Sequence, residues 1–191
     1  LAEVRFVPCR IPAHRGTPLV TAEQRLALVR LATAGQPGFV ADDRELRREG
    51  PSYMFDTLTS LRTEVGAETP LVLIVGADAF RDLHTWHRWR ELTGLAHIVV
   101  MQRPGAAQSL PPVLAEFATP RVVHAPAALR QQSAGGILFQ PVTQLAISAT
   151  QIRALLAHGQ SPRYLLPDPV LAFIHDRALY RPLPAKTPVP A

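Results

Sequence analysis

One cysteine, Cys9, stands in 191 residues, which excludes an internal disulfide and a cysteine cluster for zinc. Lysine is as scarce: of 20 basic residues only Lys186 is a lysine. A P-loop, whose lysine follows its glycines, and a Schiff-base site for pyridoxal therefore have no residue to use. No Gly-x-Gly-x-x-Gly follows an apolar run, which argues against a nicotinamide-dependent dehydrogenase. No apolar run approaches the ~18–20 residues of a membrane span, so no membrane partner is expected and the cytoplasm is the expected compartment. The formal charge is +5, yet no block of five or six basic residues occurs and aromatics are only 6%, so nucleic acid is not expected as a partner. Arginine carries the excess charge, and its planar fork suits phosphate-bearing small molecules.

What is present is a chain 47% hydrophobic, enough for one core. The expected organisation is one domain over 1–180 and a proline-rich tail over 181–191. The sequence predicts a strand at Val4–Val7, then a helix introduced by the capping box Thr21-Ala-Glu-Gln24 and stopped near Gly35–Gly38. A strand is expected over Phe39–Leu46, broken by Gly50-Pro51. Ser52 is placed to cap a helix with Phe55, Leu58, Leu61 and Val65 at helical spacing, stopped by Gly66. Leu71–Val75 and His97–Met101 are short, wholly apolar or nearly so, and read as buried parallel strands. A helical stretch from Asp78 to Leu92 joins them. A short helix near 110–117, strands near 121–124 and over Ile137–Pro141, a helix over Thr150–His158 behind the box Ser148-Ala-Thr-Gln151, and a helix over Pro169–Ala178 complete the expectation. Strands alternating with helices make this an α/β chain with a doubly wound parallel sheet covered on both faces. Ligands of such sheets sit beyond the carboxyl ends of the strands.

Four segments fall at such ends or at helix starts. Gly76-Ala-Asp78 follows the most apolar strand; glycine admits close approach of a ligand, and Asp78 can either bind ribose hydroxyls or merely start its helix. Trp86-His-Arg-Trp89 sets both tryptophans on one predicted helical turn, able to stack on a planar heterocycle or simply to fill core. His84 and His87 with Glu91 have the spacing to share a metal, but no further histidine or cysteine completes a site, and no metal ligands are assigned. Ile147-Ser-Ala-Thr-Gln-Ile-Arg153 presents the hydroxyls of Ser148 and Thr150, and Arg153 one turn on, at a helix start that could hold phosphate or be only well capped. The basic loop Arg10–Arg15, with His14, reads equally as a scatter of surface charge.

Taken in order, the segments resemble the bacterial nicotinate-mononucleotide adenylyltransferases. The matching stretches are Val4–Pro8 with Pro12-Ala-His14, Glu45–Arg48 with Gly50-Pro-Ser-Tyr53 and Asp56-Thr-Leu58, Ile74–Asp78, Trp86–Trp89, Arg103-Pro-Gly105, Ile147–Arg153 and Arg163–Pro167. The resemblance covers residues 1 to about 180. It implies a Rossmann-like nucleotidyltransferase fold with a small C-terminal helical part, and adenylyl transfer from ATP with Mg2+ to nicotinate mononucleotide. The mononucleotide phosphate would attack the α-phosphorus in line, so catalysis would be positioning plus electrostatics. The resemblance also implies roles: Trp86 on the nicotinate ring, the Ser52, Tyr53 and Met54 turn on its carboxylate, and Gly76 and Asp78 on nucleotide ribose. Ser148, Thr150 and Arg153 would take ATP phosphates, with His14 and Arg103 as further contacts.

Two departures stand out. Met54 occupies a position usually held by threonine in that family, which leaves recognition by the backbone but removes a hydroxyl. The family's glycine-rich turn and paired catalytic histidines are absent, so no catalytic residue is assigned. The expectation is a chain truncated at its first strand and impaired in turnover when alone. The alternatives are a non-catalytic nucleotide-binding or scaffold protein and a related adenylyltransferase with another acceptor, such as phosphopantetheine. A homo-oligomer is compatible with the sequence.

Overall fold

Local sequence signals decide most of the element boundaries. The computed structural model describes residues 1–12, 16, 18–102, 109–143 and 145–180; His14, Arg103 and the tail 181–191 lie outside them. In chain order the elements are β1 (Val4–Phe6), α1 (Ala22–Thr33), β2 (Phe39–Ala41), α2 (Arg44–Arg47), α3 (Met54–Val65), β3 (Val72–Gly76), α4 (Ala77–Arg81), α5 (Leu92–Leu95) and β4 (His97–Gln102). They continue with α6 (Pro112–Ala118), β5 (Val122–Val123), β6 (Ile137–Pro141), α7 (Ala149–Ala157) and α8 (Asp168–Asp176). Single 3-10 turns occupy Leu83–Thr85, Trp89–Glu91, Thr119–Arg121 and Pro126–Arg130. The described residues group into two compact units, one of residues 52–145 and one of residues 1–51 with those from 146 onward.

In residues 52–145 four strands pair in the order β3-β4-β6-β5, every pair parallel. The register sets Leu73, Ile98 and Ile137 side by side, and Val75 beside Val100. These residues are buried with Leu58 and Leu61 of α3, Phe80 of α4, Leu92 of α5 and Leu114 of α6. Alternation puts Ile74 and Met101 on the other face, where they are 38% and 37% exposed. Gly66 ends α3 with φ 83°, a left-handed conformation that glycine adopts without strain.

Two polar side chains fasten the loops below this sheet. Arg62 of α3 donates to the carbonyls of Leu95, Gly66, Thr69 and Ser133. His97, 1% exposed, accepts the Gly136 N–H on Nδ1 at 2.9 Å, so its Nε2 donates to the Gln132 carbonyl, also at 2.9 Å.

In the other unit β1 and β2 form a two-stranded parallel sheet, Val4 beside Phe39 and Phe6 beside Ala41. The predicted capping box closes the start of α1: Gln24 N–H donates to Thr21 Oγ1 at 3.2 Å and Thr21 N–H to Gln24 Oε1 at 2.9 Å. Val20, Leu156, Val170, Ile174 and Leu179 make the apolar cluster around α7 and α8.

Three features differ from expectation, and a fourth is met in part. The strand expected over Phe39–Leu46 ends at Ala41, because Asp42 folds its carboxylate back onto the Arg44 amide at 2.9 Å and starts α2. Ser52 is not the cap of α3; Tyr53 is, in extended conformation, and its side chain makes no capping bond. At α7 the Ser148 hydroxyl accepts the Gln151 N–H at 3.1 Å, the serine half of the expected box. The helix expected over Asp78–Leu92 is broken, as its geometry shows next.

Candidate active site

The break falls on the tryptophan segment. Trp86 is extended (φ −77°, ψ 148°) and Arg88 is left-handed (φ 53°, ψ 35°), so the chain leaves one 3-10 turn, swings out and re-enters another. The two tryptophans consequently part company, and the single helical turn expected to carry both does not form. Trp89 is 7% exposed and meets Phe117 edge-on, ring centroids 4.8 Å apart. Trp86 is half-buried and packs against the edge of the same core cluster. Of the two, Trp86 keeps aromatic surface for a ligand.

The left-handed turn is held by its own side chains. Arg88 forks onto Glu91, Nε to Oε1 at 2.7 Å and Nη2 to Oε2 at 2.5 Å. Its guanidinium carbon sits 3.5 Å from the centre of the Phe55 ring. The hydrogen bond from Arg88 holds the exposed Glu91 carboxyl below its ordinary value, and the same bond raises the guanidinium. His87 lays its imidazole against the Tyr53 ring, centroids 4.4 Å apart at 32°. Sequence reasoning missed both contacts; the spacing of Glu91 three residues after Arg88 was the one available signal. His84 turns away from this group, its Nδ1 3.1 Å from the Arg81 carbonyl. Among the described residues no group of three His, Cys, Asp or Glu could hold a metal.

Tyr53 and Phe55 flank Met54, the first residue of α3. With no side chain capping that start, the helix presents its first amides and the positive end of its dipole where the resemblance put a carboxylate. Ser52, Tyr53 and Met54 are all half-buried there.

Gly76 closes β3 and precedes α4. Its φ of −74° suits any residue, and a Cβ added there would meet no protein atom within 4 Å. Neither the backbone nor the packing of the described residues demands glycine there, so the position is open to close approach. Gly136, by contrast, is dictated by packing: an added Cβ would lie 3.1 Å from both His97 Nδ1 and Leu129 Cδ2. Asp78 lies in the first turn of α4, exposed, with Arg81 Nη2 3.5 Å away; it caps nothing with its side chain.

In the other unit, Ser148 and Thr150 are exposed at the start of α7, and Arg153 Nη2 donates to Thr150 Oγ1 at 3.3 Å. The structure thus brings Thr150 and Arg153 together at one helix tip.

A parallel α/β sheet with a glycine closing an apolar strand is the architecture of the nucleotide-binding α/β class. Residues 2–155 match the model of the cytidylyltransferase-like family. A Dechloromonas aromatica (strain RCB) protein named a probable nicotinate-nucleotide adenylyltransferase is 52% identical over 184 residues, spanning 95% of this chain and 85% of its own. A Halorhodospira halophila (strain DSM 244 / SL1) protein of the same name is 53% identical over 180 residues, 94% of this chain and 82% of its own. The chain belongs to the nicotinate-nucleotide adenylyltransferase family. The solved Plasmodium falciparum nicotinic acid mononucleotide adenylyltransferase, complexed with NaAD, shares the fold at a TM-score of 0.64 and 13% identity, over 94% of this chain and 83% of that one.

Proposed function

We infer that this chain transfers the adenylyl group of ATP to nicotinate mononucleotide, giving the deamido dinucleotide and pyrophosphate, a step of NAD biosynthesis. Identity of about half the residues across 95% of the chain with relatives named for this activity carries the reading. The site geometry supports its two halves.

On the acceptor side, Trp86 offers its accessible face to the nicotinate ring, and backbone amides at the helix start marked by Ser52–Met54 receive the carboxylate. Backbone recognition tolerates Met54, because no side-chain hydroxyl takes part. On the ATP side, Gly76 lets the nucleotide approach the backbone and Asp78 accepts ribose hydroxyls. Ser148 and Thr150 with the α7 dipole take phosphate oxygens, while Arg153, already bonded to Thr150, adds a charge-assisted donor. His14 and Arg103 are assigned phosphate contacts on the resemblance alone. These groups hold two anionic substrates and stabilise charge on the transferring phosphoryl; no covalent intermediate with the protein is required. Magnesium is proposed to arrive chelated by ATP, where it neutralises phosphate charge. No residue of this chain is assigned to it, since the described residues contain no metal-binding cluster. The expected compartment is the cytoplasm, and no helix among the described residues is long and apolar enough to cross a membrane.

The test is direct. With Mg2+, ATP and nicotinate mononucleotide, the purified chain should release pyrophosphate and dinucleotide in equal amounts, at a low rate because the family's glycine-rich turn and paired histidines are absent from these residues, measured by chromatography. Trp86→Ala should raise KM for nicotinate mononucleotide by about 5–100-fold, the range of one base-sized stacking contact, with KM for ATP within about twofold. Equal loss for both substrates removes Trp86 from the acceptor site. Preference for phosphopantetheine as acceptor overturns the substrate assignment.

A further inference from the structure

We propose that His87 is a positioning residue for the acceptor: its imidazole, stacked on Tyr53, fixes the start of α3 relative to the segment that carries Trp86. The proposal rests on the acceptor assignment made above and adds to it a side chain whose ring contact is with Tyr53. The observations that carry it lie within residues 52–145. Tyr53 and Phe55 bracket Met54 at the start of α3, and His87 and Arg88 directly follow Trp86. Each member of the first pair meets one of the second: the Tyr53 and His87 rings lie 4.4 Å apart, and the Arg88 guanidinium carbon sits 3.5 Å over Phe55. Two short segments about 30 residues apart in sequence are thereby tied at two points.

The two ties differ in what they hold. Arg88 is also forked onto Glu91 and sits in a left-handed conformation, so its contact mainly secures the turn itself. His87 is exposed; its imidazole meets the Tyr53 ring, and Glu91 is close enough to feel its charge. Its burial stabilises the core little, so the main consequence of the stack is geometric. It sets the spacing between the amides that receive a carboxylate and the indole that receives the ring carrying that carboxylate. A planar acid must meet both at once, and an error of an ångström between them weakens binding steeply.

The experiment compares the unsubstituted chain with His87→Ala and His87→Phe. In His87→Ala, KM for nicotinate mononucleotide should rise about three- to tenfold, the range of an aromatic pair. KM for ATP and kcat should stay within about twofold, and His87→Phe, which keeps the stack without the ring nitrogens, should restore the lower KM. An unchanged KM in His87→Ala overturns the proposal. An equal rise in both variants also overturns it, because the nitrogens would then be acting directly. A parallel rise in KM for ATP indicates general loosening and counts against it equally.

Amide hydrogen exchange at Met54, Phe55 and Trp86 gives a reading that needs no turnover. Exchange should quicken in His87→Ala and recover in His87→Phe; unaltered exchange sinks the stack as a positioning device. If the unsubstituted chain binds no nicotinate mononucleotide by calorimetry while exchange behaves as expected, the acceptor assignment fails and the mechanical role of His87 stands.

Discussion

In residues 52–145 the largest fully buried side chains are mainly apolar, Phe80, Leu83, Leu92, Ile98, Leu114 and Ile137 at 0% exposure, with His97 and Thr57 at 1% as the polar exceptions. Around β1 and β2 the buried side chains that follow the sheet are instead Asp42 and Glu45, at 7% and 3%. Asp42 Oδ2 is met by Arg44 Nε at 2.8 Å and Nη2 at 2.6 Å, and by Arg5 Nη1 at 3.4 Å. Arg25 reaches from α1 to the carbonyls of Cys9 and Arg10. The proposed acceptor residues are thus mounted on a mainly apolar scaffold without a buried carboxylate among its described residues. The loop after β1 is held by ionic groups and hydrogen bonds. Apolar packing is indifferent to pH; an ionic mount is not.

The largest expected effect tests the first half of that contrast. Phe80→Ala removes a fully buried ring that meets Phe139 edge-on at 5.5 Å. It should cost about 3–5 kcal/mol by denaturant unfolding, with amide protection lost chiefly within residues 52–145. A cost under about 1 kcal/mol would show that the scaffold relaxes around the cavity and is not close-packed.

Asp42→Asn tests the second half. It removes the carboxylate that Arg44 grips with Nε and Nη2, while Arg5 keeps its pair with Glu3; the change should cost about 3 kcal/mol, the low end for a broken buried pair. The loss should appear as faster exchange in β1, β2 and α2. The pH dependence has a fixed sign. Burial pushes the Asp42 carboxyl up, but hydrogen bonds and charge from Arg44, with Arg5 behind them, outweigh it and hold the group below its ordinary 3.8. Its stabilisation is therefore complete above about pH 4 and fades as the pH falls through the depressed value. In that acid range protection of β1 and β2 should drop before protection of β3 and β4. Asp42→Asn should abolish the difference.

What the sequence made legible follows the same division between local and distant causes. The box at Thr21 and Gln24, the stop at Gly66 and the apolar runs of β3 and β4 are decided within a few residues, and all formed where expected. The end of β2 was missed although its cause is local: Asp42 competes for the Arg44 amide, an outcome the alternation of Phe39–Leu46 does not encode. The broken helix at 86–91 has a remote cause. Phe55 and Tyr53, about 30 residues earlier, supply the faces on which Arg88 and His87 settle. Nothing within the window distinguishes Trp86 from Trp89, and only the position of Phe117 sends Trp89 inward. The candidate residues themselves were legible through family resemblance. The contacts among them, such as Arg153 on Thr150, were not.

Cys9 gives the smallest and most local check on the ionic mount. Burial raises its thiol above the ordinary value, the Glu45 charge raises it further, and Arg25 opposes the shift only in part. Because the thiolate is the reactive form, Cys9 should react with iodoacetamide at pH 8 more slowly than free glutathione. Glu45→Gln removes the adjacent negative charge, so the rate should rise, by about threefold on the scale of a fraction of a pH unit. The comparison requires that the variant stay folded, which the denaturation midpoint checks. A rate that is unchanged in folded Glu45→Gln would mean that burial alone controls the thiol and that the charge of Glu45 does not reach the loop after β1.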